Sequence, residues 1–130
     1  MGIDPSLSST GIGVLEVDRG KWRASFWEVV RPPKEECLSR RLFFLYQRLS
    51  EILAVHTPDI VAVEEVFLAR DPKAAILLGE AKGAILAAVG AYLREFNIKK
   101  RNDQDNQSSP TEFNVNAPAY SDEMVFHQFS

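Results

Sequence analysis

The chain has 130 residues, of which 45% are hydrophobic and 25% are charged, and its formal net charge is −3. This size and composition are typical of one globular domain with a substantial core. A single cysteine, Cys37, excludes an internal disulfide framework and fits a reducing compartment. The start lacks a basic flank and an apolar run, and the longest apolar stretch, AILAAVGAYL, is too short to cross a bilayer. We therefore expect a cytoplasmic protein without a membrane segment.

The charge is distributed unevenly along the chain. Residues 102–130 contain five acidic residues and no Lys or Arg, whereas the first 101 residues hold 15 basic and 13 acidic residues, a net charge of +2. A mildly basic body is compatible with a nucleic-acid partner, which needs only a local positive patch, but does not demand one. We expect a domain over residues 1–101, followed by a divergent and poorly ordered acidic tail over residues 102–130.

The first part of the chain predicts an antiparallel meander of three strands. A short run at Gly2-Ile3-Asp4 is followed by TGIGVLEV and KWRASFWEVV, two strand-like runs separated by DRG, which is a hairpin signal. The paired prolines in VRPPKEEC then interrupt the chain.

An amphipathic helix is predicted after the prolines. From Leu38 the apolar residues recur at steps of three and four, and His56-Thr57-Pro58 ends the pattern. We expect the basic residues of this helix, Arg40, Arg41 and Arg48, to form an ordinary solvent-exposed face.

A buried strand and a long second helix are predicted next. Ile60 to Val63 form a continuous apolar run of β-branched character, as in a strand covered on both faces. Asp71 can cap the second helix and Pro72 suits its first position, and the helical pattern extends to residue 96. This helix is apolar on most sides and contains three glycines, so we expect it to be buried in its own core or against a partner.

The order of these elements predicts an α/β fold. Asn97-Ile98 is a candidate fifth strand, and the polar segment KKRNDQDNQSSP that begins at Lys99 is typical of a linker. An antiparallel meander followed by a parallel crossover gives a mixed sheet with helices packed on it.

Two acidic residues carry the predicted chemistry. Asp4 ends the first strand and Glu64 ends the fourth, and these strands can lie side by side and parallel, with their carboxyl ends at one edge. Neighbouring carboxylates repel each other unless one is protonated or a cation bridges them. Carboxylate oxygens without His or Cys suit Mg²⁺ or Mn²⁺, and a pair of such ions about 4 Å apart serves phosphodiester hydrolysis. A plain turn role for Asp4, which precedes Pro5, is the alternative.

The stretches GIDPSLSSTGIGVLEV and PDIVAVEEVFLARDPKAAILLGEAKGAILAAV, with their spacing, closely resemble the RuvC family of Holliday junction resolvases. The resemblance covers about the first hundred residues. It implies an RNase H-like fold, a homodimer and a complex with a branch-migration helicase. It also implies Mg²⁺-dependent, symmetrical nicking of four-way DNA junctions.

The resemblance assigns roles to individual residues. Asp4 corresponds to the family's first catalytic aspartate, Glu64 to its catalytic glutamate, and Phe67 to the aromatic residue that contacts DNA near the junction. Alternation along the strand sends Glu65 to the opposite face from Glu64. The helix over residues 72–96 corresponds to the family's dimer-forming helix.

Three basic residues near the same edge, Arg70, Lys73 and Lys82, could contact phosphates, with solvated helix charges as the alternative.

The chain also departs from the family pattern. Ser6 stands where glycine is usual, and Asp71 where asparagine is common. The family completes its site with two further ligands, three residues apart on a late helix, and residues 102–130 show no such pattern; the adjacent pair Asp122-Glu123 has the wrong spacing.

Two other functions therefore stand beside the nuclease. One is a junction-binding module that lacks catalysis. The other, a nucleotide-binding fold of the actin and sugar-kinase type, would need further glycine-rich phosphate loops, which the sequence does not contain.

Overall fold

The computed structural model describes residues 1–65 and 71–106. The elements are β1 (Gly2–Asp4), β2 (Thr10–Asp18), β3 (Lys21–Val30), α1 (Leu38–His56), β4 (Ala62–Val63) and α2 (Pro72–Asn106). The four strands form one sheet in the order β3-β2-β1-β4, in which β4 runs parallel to β1 and the other pairs are antiparallel. The predicted mixed α/β sheet is confirmed, although β4 is shorter than the predicted strand over Ile60 to Val63.

The β2–β3 hairpin is built on a two-residue turn. Arg19 and Gly20 have φ angles of 49° and 78°, and Asp18 pairs with Lys21 across the turn. Positive φ at both central residues is the turn geometry that matches the twist of a hairpin, and glycine adopts it without steric cost. A register shift between Val14 and Leu15 marks a β-bulge farther along the hairpin.

Both helices share one hydrophobic core with one face of the sheet. The strands contribute alternate residues to this core, and the helices contribute residues at helical spacing. The core residues include Ile3, Ile12, Val30, Val63, Leu45, Leu49, Leu53, Ile85 and Val89. The face that carries Gly2 and Asp4, which we call the outer face, is exposed in the part of the chain that the structure describes.

Two arginines of α1 do more than face the solvent. The Arg48 guanidinium donates two hydrogen bonds to the Glu28 carboxylate on β3, at 2.8 and 2.7 Å. The Arg41 guanidinium donates to the backbone oxygen of Leu7 at 3.3 Å. The expectation of a plain solvent-exposed face holds for Arg40. It is wrong for Arg41, which contacts the loop between β1 and β2, and for Arg48, which contacts β3.

The second helix begins as predicted and ends later. The backbone N–H of Lys73 donates to the Asp71 carboxylate at 3.1 Å, which is an N-cap bond. The helix then continues to Asn106, so the predicted fifth strand at Asn97-Ile98 is wrong.

The extension of α2 has a local physical cause. No Gly or Pro lies between Gly90 and Asn106 to stop the helix. The Tyr92 and Phe96 rings stack at 5.7 Å, and the Lys100 Nζ lies 4.8 Å from the Phe96 ring centre, so contacts at a spacing of four residues support the last turns. The first part of the predicted linker is therefore helical. Residues 107–130 lie outside the described residues, and the domain boundary stays a prediction.

By length and composition alone, α2 is also able to cross a membrane. This is a weak indication, because the core helices of soluble proteins pass the same test. Ala81, Ile85, Ala88 and Val89 of α2 are buried in the hydrophobic core that this helix shares with α1 and the sheet. The absence of a membrane segment stays a prediction.

The core predicts a sharp contrast between two positions of α1. Leu53 is fully buried, whereas Val55 is 76% exposed. We expect Leu53→Ala to lower the free energy of unfolding by about 2–5 kcal/mol, because it removes buried contacts and leaves a cavity. Val55→Ala should change it by less than about 0.5 kcal/mol. Urea unfolding followed by circular dichroism measures both, and equal effects would contradict this core.

Candidate active site

The pairing of β1 with β4 brings the two predicted catalytic residues together. Gly2 pairs with Ala62 and Ile3 with Val63, and the Glu64 backbone N–H donates to the Ile3 oxygen at 2.9 Å. Ile3 and Val63 point into the core, so the residues that follow them, Asp4 and Glu64, lie side by side on the outer face. Asp4 is the last residue of β1 and Glu64 the first after β4, as the sequence predicted.

The two carboxyl groups interact directly. A hydrogen bond from Glu64 to the Asp4 carboxylate and the negative charge of Asp4 raise the pKa of the Glu64 carboxyl above its ordinary value, and desolvation adds to the shift. Both residues are exposed to solvent. Two carboxylates held this close repel each other when both are ionised, so the pair is suited to share a proton or to bind a cation.

An open depression lies beside the carboxylates. It has a volume of about 390 Å³ and is lined by Gly2, Ile3, Asp4, Gly11, Gly13, Ala62 and Glu64. Gly2 pairs with Gly13 and Asp4 pairs with Gly11, so three glycines form a patch without side chains. We call Gly2, Gly11 and Gly13 the glycine floor. The alternation Gly-Ile-Gly in β2 is the sequence signal for this floor, which becomes visible only with the strand register.

Hydroxyl groups fix the loop that follows Asp4. The fully buried Thr10 donates its hydroxyl hydrogen to the Ser6 oxygen at 2.6 Å, and the Ser6 backbone N–H donates to the Thr10 hydroxyl at 3.2 Å. The Ser6 hydroxyl accepts hydrogen bonds from the backbone N–H groups of Ser8 and Ser9. Ser and Thr in such loops replace the missing backbone partners, so this Ser-rich loop holds the end of β1 in one conformation.

Arg41 holds the same loop from the other side of the sheet. Its guanidinium donates to the Leu7 oxygen, and its Nε atom is buried without a hydrogen-bond partner among the described residues. Leu7 itself is buried in the core. Arg41 therefore ties the first turn of α1 to the loop that begins beside Asp4.

Of the other four predicted site residues, the structure describes Lys73 and Lys82 only. Lys73 is exposed in the first turn of α2, and Lys82 is half-buried nine residues later, about 14 Å along the helix. Neither lines the depression at Asp4, and their contact with phosphates stays a prediction. Phe67 and Arg70 lie outside the described residues.

Within the described ranges, no group of three or more His, Cys, Asp or Glu side chains is placed to hold a metal ion. The described residues thus give this site two candidate metal ligands, Asp4 and Glu64, and no third. The family's two late ligands were expected after residue 101, in a region that the structure describes only up to residue 106.

The carboxylate pair makes a prediction about pKa. Asp4→Asn should lower the pKa of the Glu64 carboxyl towards its ordinary value, because the neighbouring negative charge is removed. A raised pKa in the folded state stabilises the protein below the pKa of the unfolded state, and this contribution is lost as pH rises through the folded value. Asp4→Asn should therefore raise the free energy of unfolding at pH values above the folded-state pKa of Glu64.

Carboxyl-carbon NMR titration measures this pKa, and urea unfolding at pH 4 and pH 7 measures the stability. Asp18→Asn, at the hairpin turn, is the matched control and should leave the Glu64 pKa unchanged. An unaltered Glu64 pKa in Asp4→Asn would mean that the two carboxyl groups do not interact.

The sequence matches one known protein family. The sequence profile described as "Crossover junction endodeoxyribonuclease RuvC" matches residues 1–104. A relative of that name from Carboxydothermus hydrogenoformans is 42% identical over 89 residues, which is 68% of this chain and 55% of the relative. Another from Dictyoglomus thermophilum is 34% identical over 98 residues, which is 75% of this chain and 62% of the relative. The chain thus spans little more than half the length of these relatives.

Solved structures match the fold. The structure titled "T. thermophilus RuvC in complex with Holliday junction substrate" has a TM-score of 0.64 and 35% sequence identity, over 70% of this chain and 57% of that one. A second structure, of Thermus thermophilus RuvC, has a TM-score of 0.62 over the same shares. The predicted RNase H-like sheet is confirmed by these matches. The profile, the relatives and the solved structures agree that the chain belongs to the RuvC family.

Proposed function

We propose that this chain is a metal-dependent endonuclease that resolves four-way DNA junctions by symmetrical nicking. The observation that carries the proposal is the adjacency of the Asp4 and Glu64 carboxyl groups on an open sheet face. Further support comes from the relatives named crossover junction endodeoxyribonuclease and from the related structure titled as a complex with a Holliday junction substrate.

The donor set fits a hard divalent cation. Both ligands are carboxylates, and the depression beside them is lined mainly by glycine and alanine, which leave room for water and substrate. We propose Mg²⁺, which Mn²⁺ can replace, with two ions in the working site. Divalent cations at such sites activate a water molecule and stabilise the departing oxygen of a phosphodiester.

The residues have distinct roles in this proposal. Asp4, at the end of β1, and Glu64, next to it after β4, would together hold the cation through their carboxylate oxygens. The hydrogen-bonded loop from Ser6 to Thr10 keeps Asp4 in place. Phe67, Arg70, Lys73 and Lys82 are proposed to contact DNA.

Removing one ligand tests the nuclease directly. Asp4→Asn should reduce junction cleavage in Mg²⁺ by more than roughly a hundredfold, since even residues that merely support metal ligands cost 10–100-fold when changed. The assay is nicking of a labelled four-way junction. Glu65→Gln is the control: it removes the adjacent acid, which is predicted to face the other side, and should cleave like the unchanged protein. Equal losses in the two variants would contradict the assigned roles.

A second candidate is a junction-binding module without catalysis. It is favoured by the absence of a third metal-ligating side chain near Asp4 and Glu64 in the described ranges. Such a module would bind branched DNA with salt-sensitive affinity and without dependence on Mg²⁺. A protein that binds junctions but leaves them intact in both Mg²⁺ and Mn²⁺ would support the module and refute the nuclease.

We also propose a homodimer formed through residues 72–96 of α2. Five exposed residues recur at spacings of three and four and therefore lie on one side of this helix. They are one large apolar residue, Ile76, and four small ones, Gly79, Gly83, Ala87 and Gly90. Each glycine costs a helix about 1 kcal/mol relative to alanine. Added Cβ atoms at the three glycines would meet nothing within 4 Å among the residues that the structure describes. A second helix that approaches closely would use this space. The complex with a branch-migration helicase stays a prediction.

The dimer predicts an effect of charge at Ile76. Its side chain is 64% exposed, and Ile76→Glu should convert the dimer to a monomer, because it places a charge in an apolar contact. Light scattering coupled to gel filtration gives the mass. Ile98→Glu changes a residue of similar exposure, 47%, on the same helix beyond the proposed contact and should leave the dimer intact. An unchanged protein that is monomeric at high concentration would exclude this interface.

A further inference from the structure

The glycine floor has no cause within the described part of the chain. Glycine in a strand lowers stability because its backbone loses more conformational entropy on folding than that of other residues, and because it has no side chain to pack. Among the glycines, only Gly20 has positive φ, so the floor residues are not required by backbone conformation. An added Cβ at Gly2 or Gly13 would meet nothing within 4 Å, and one at Gly11 would make an ordinary 3.7 Å contact with Asp4. Glycines of this kind commonly mark a place where a ligand approaches the backbone closely.

Trp27 borders this floor on the side away from the carboxylates. It pairs with Gly13, which in turn pairs with Gly2. Its neighbours on β3 face the other way: Phe26 packs on the His56 ring of α1, and Glu28 binds Arg48. Trp27 therefore lies on the outer face, where its side chain is 77% exposed.

The distance between the two borders of the floor is short. Adjacent strands are about 4.8 Å apart and residues along a strand about 3.3 Å, so the Cα atoms of Asp4 and Trp27 are separated by roughly 12 Å. Only the glycine floor and backbone lie between them in the strand register.

The two borders have different chemistry. On one side, Asp4 and Glu64 suit a cation and, through it, a phosphate. On the other side, Trp27 and the 43% exposed Val29 suit a flat apolar group. A nucleotide combines both features at a comparable spacing, since its phosphate is charged and its base has an apolar π-face that stacks on tryptophan.

We propose that Trp27 stacks on an unpaired base of the DNA strand whose phosphate lies at Asp4 and Glu64, with the sugar and backbone passing over the glycine floor. This inference rests on the proposed function and extends it to a specific contact. An uninterrupted duplex keeps its bases stacked, whereas the crossover of a junction can release one. Trp27 would therefore favour junction DNA over linear duplex.

The chain offers a matched control because it contains two tryptophans. Trp22 is 71% exposed on the same strand, but it pairs with Val17 beyond the bulge, about 16 Å along β3 from Trp27. The test uses the Asp4→Asn protein, which is expected to cleave junctions too slowly to interfere with a binding titration. In this protein, Trp22→Phe leaves Trp27 as the sole tryptophan, and Trp27→Phe leaves Trp22. Titration with a four-way junction should quench the fluorescence of Trp27 and leave that of Trp22 nearly unchanged.

Affinity provides a second readout. Trp27→Ala should weaken junction binding about tenfold, which is the loss expected for one stacked base, and should reduce the preference for junction over linear duplex. Trp27→Phe should retain most of the affinity, because phenylalanine also stacks, and Trp22→Ala should bind like the unchanged protein. Circular dichroism checks that each variant is folded.

The outcomes separate this inference from the function on which it rests. Junction binding without quenching of Trp27, or with equal losses in Trp27→Ala and Trp22→Ala, overturns the stacking contact alone. Protection of Trp27 from acrylamide in the DNA-free protein also overturns it, because a protein segment would then cover the face. A chain that shows the Trp27 response, but in its unaltered form never cleaves junctions, refutes the nuclease and keeps the contact. Failure to bind junctions refutes both.

Discussion

The pairing of two short parallel strands is the constraint on which the site depends. β1 and β4 have three and two residues, yet their register determines that Asp4 and Glu64 face the same side and lie next to each other. Ile3 and Val63 anchor this register because their side chains are buried in the core on the opposite face. Burial of Ile3 and Val63 therefore keeps Asp4 and Glu64 next to each other. The free energy gained from burying these apolar side chains offsets the repulsion between the two carboxylates.

The surroundings of the pair reinforce this placement. The loop after Asp4 is fixed by Thr10 within the sheet and by Arg41 from α1. Arg48 ties the same helix to Glu28 on β3, and the Phe26 ring packs against His56 nearby. Helix α1 is thus connected to both ends of the antiparallel meander. A site that must bind a cation benefits from such support, since loosely held ligands lose geometry and affinity.

Much of this arrangement could be predicted from the sequence because local patterns carried it. The hairpin at Asp-Arg-Gly, the start of α2 at Asp71-Pro72 and the adjacency of Asp4 and Glu64 all follow from turn chemistry, capping and strand order. The end of α2 did not follow, because polar residues from Lys99 onwards suit both a linker and an exposed helix, and the contacts among Tyr92, Phe96 and Lys100 that favour the helix form only once those turns are helical. The roles of Arg41 and Arg48 were missed because an arginine on a helix face has a long side chain whose direction no periodicity determines. The glycine floor required the strand register, which joins residues distant in sequence.

The register of β1 and β4 has a consequence for how such a sequence can change over evolution. Substitutions along these strands exchange one side chain for another at a fixed position. Inserting or deleting a single codon in either strand would instead rotate every following residue to the opposite face, so that a carboxylate would enter the apolar interior and an isoleucine or valine would replace it outside. Length variation should therefore accumulate in connections such as the β2–β3 turn and the segment between β3 and α1, and these two strands should keep a constant number of residues across lineages.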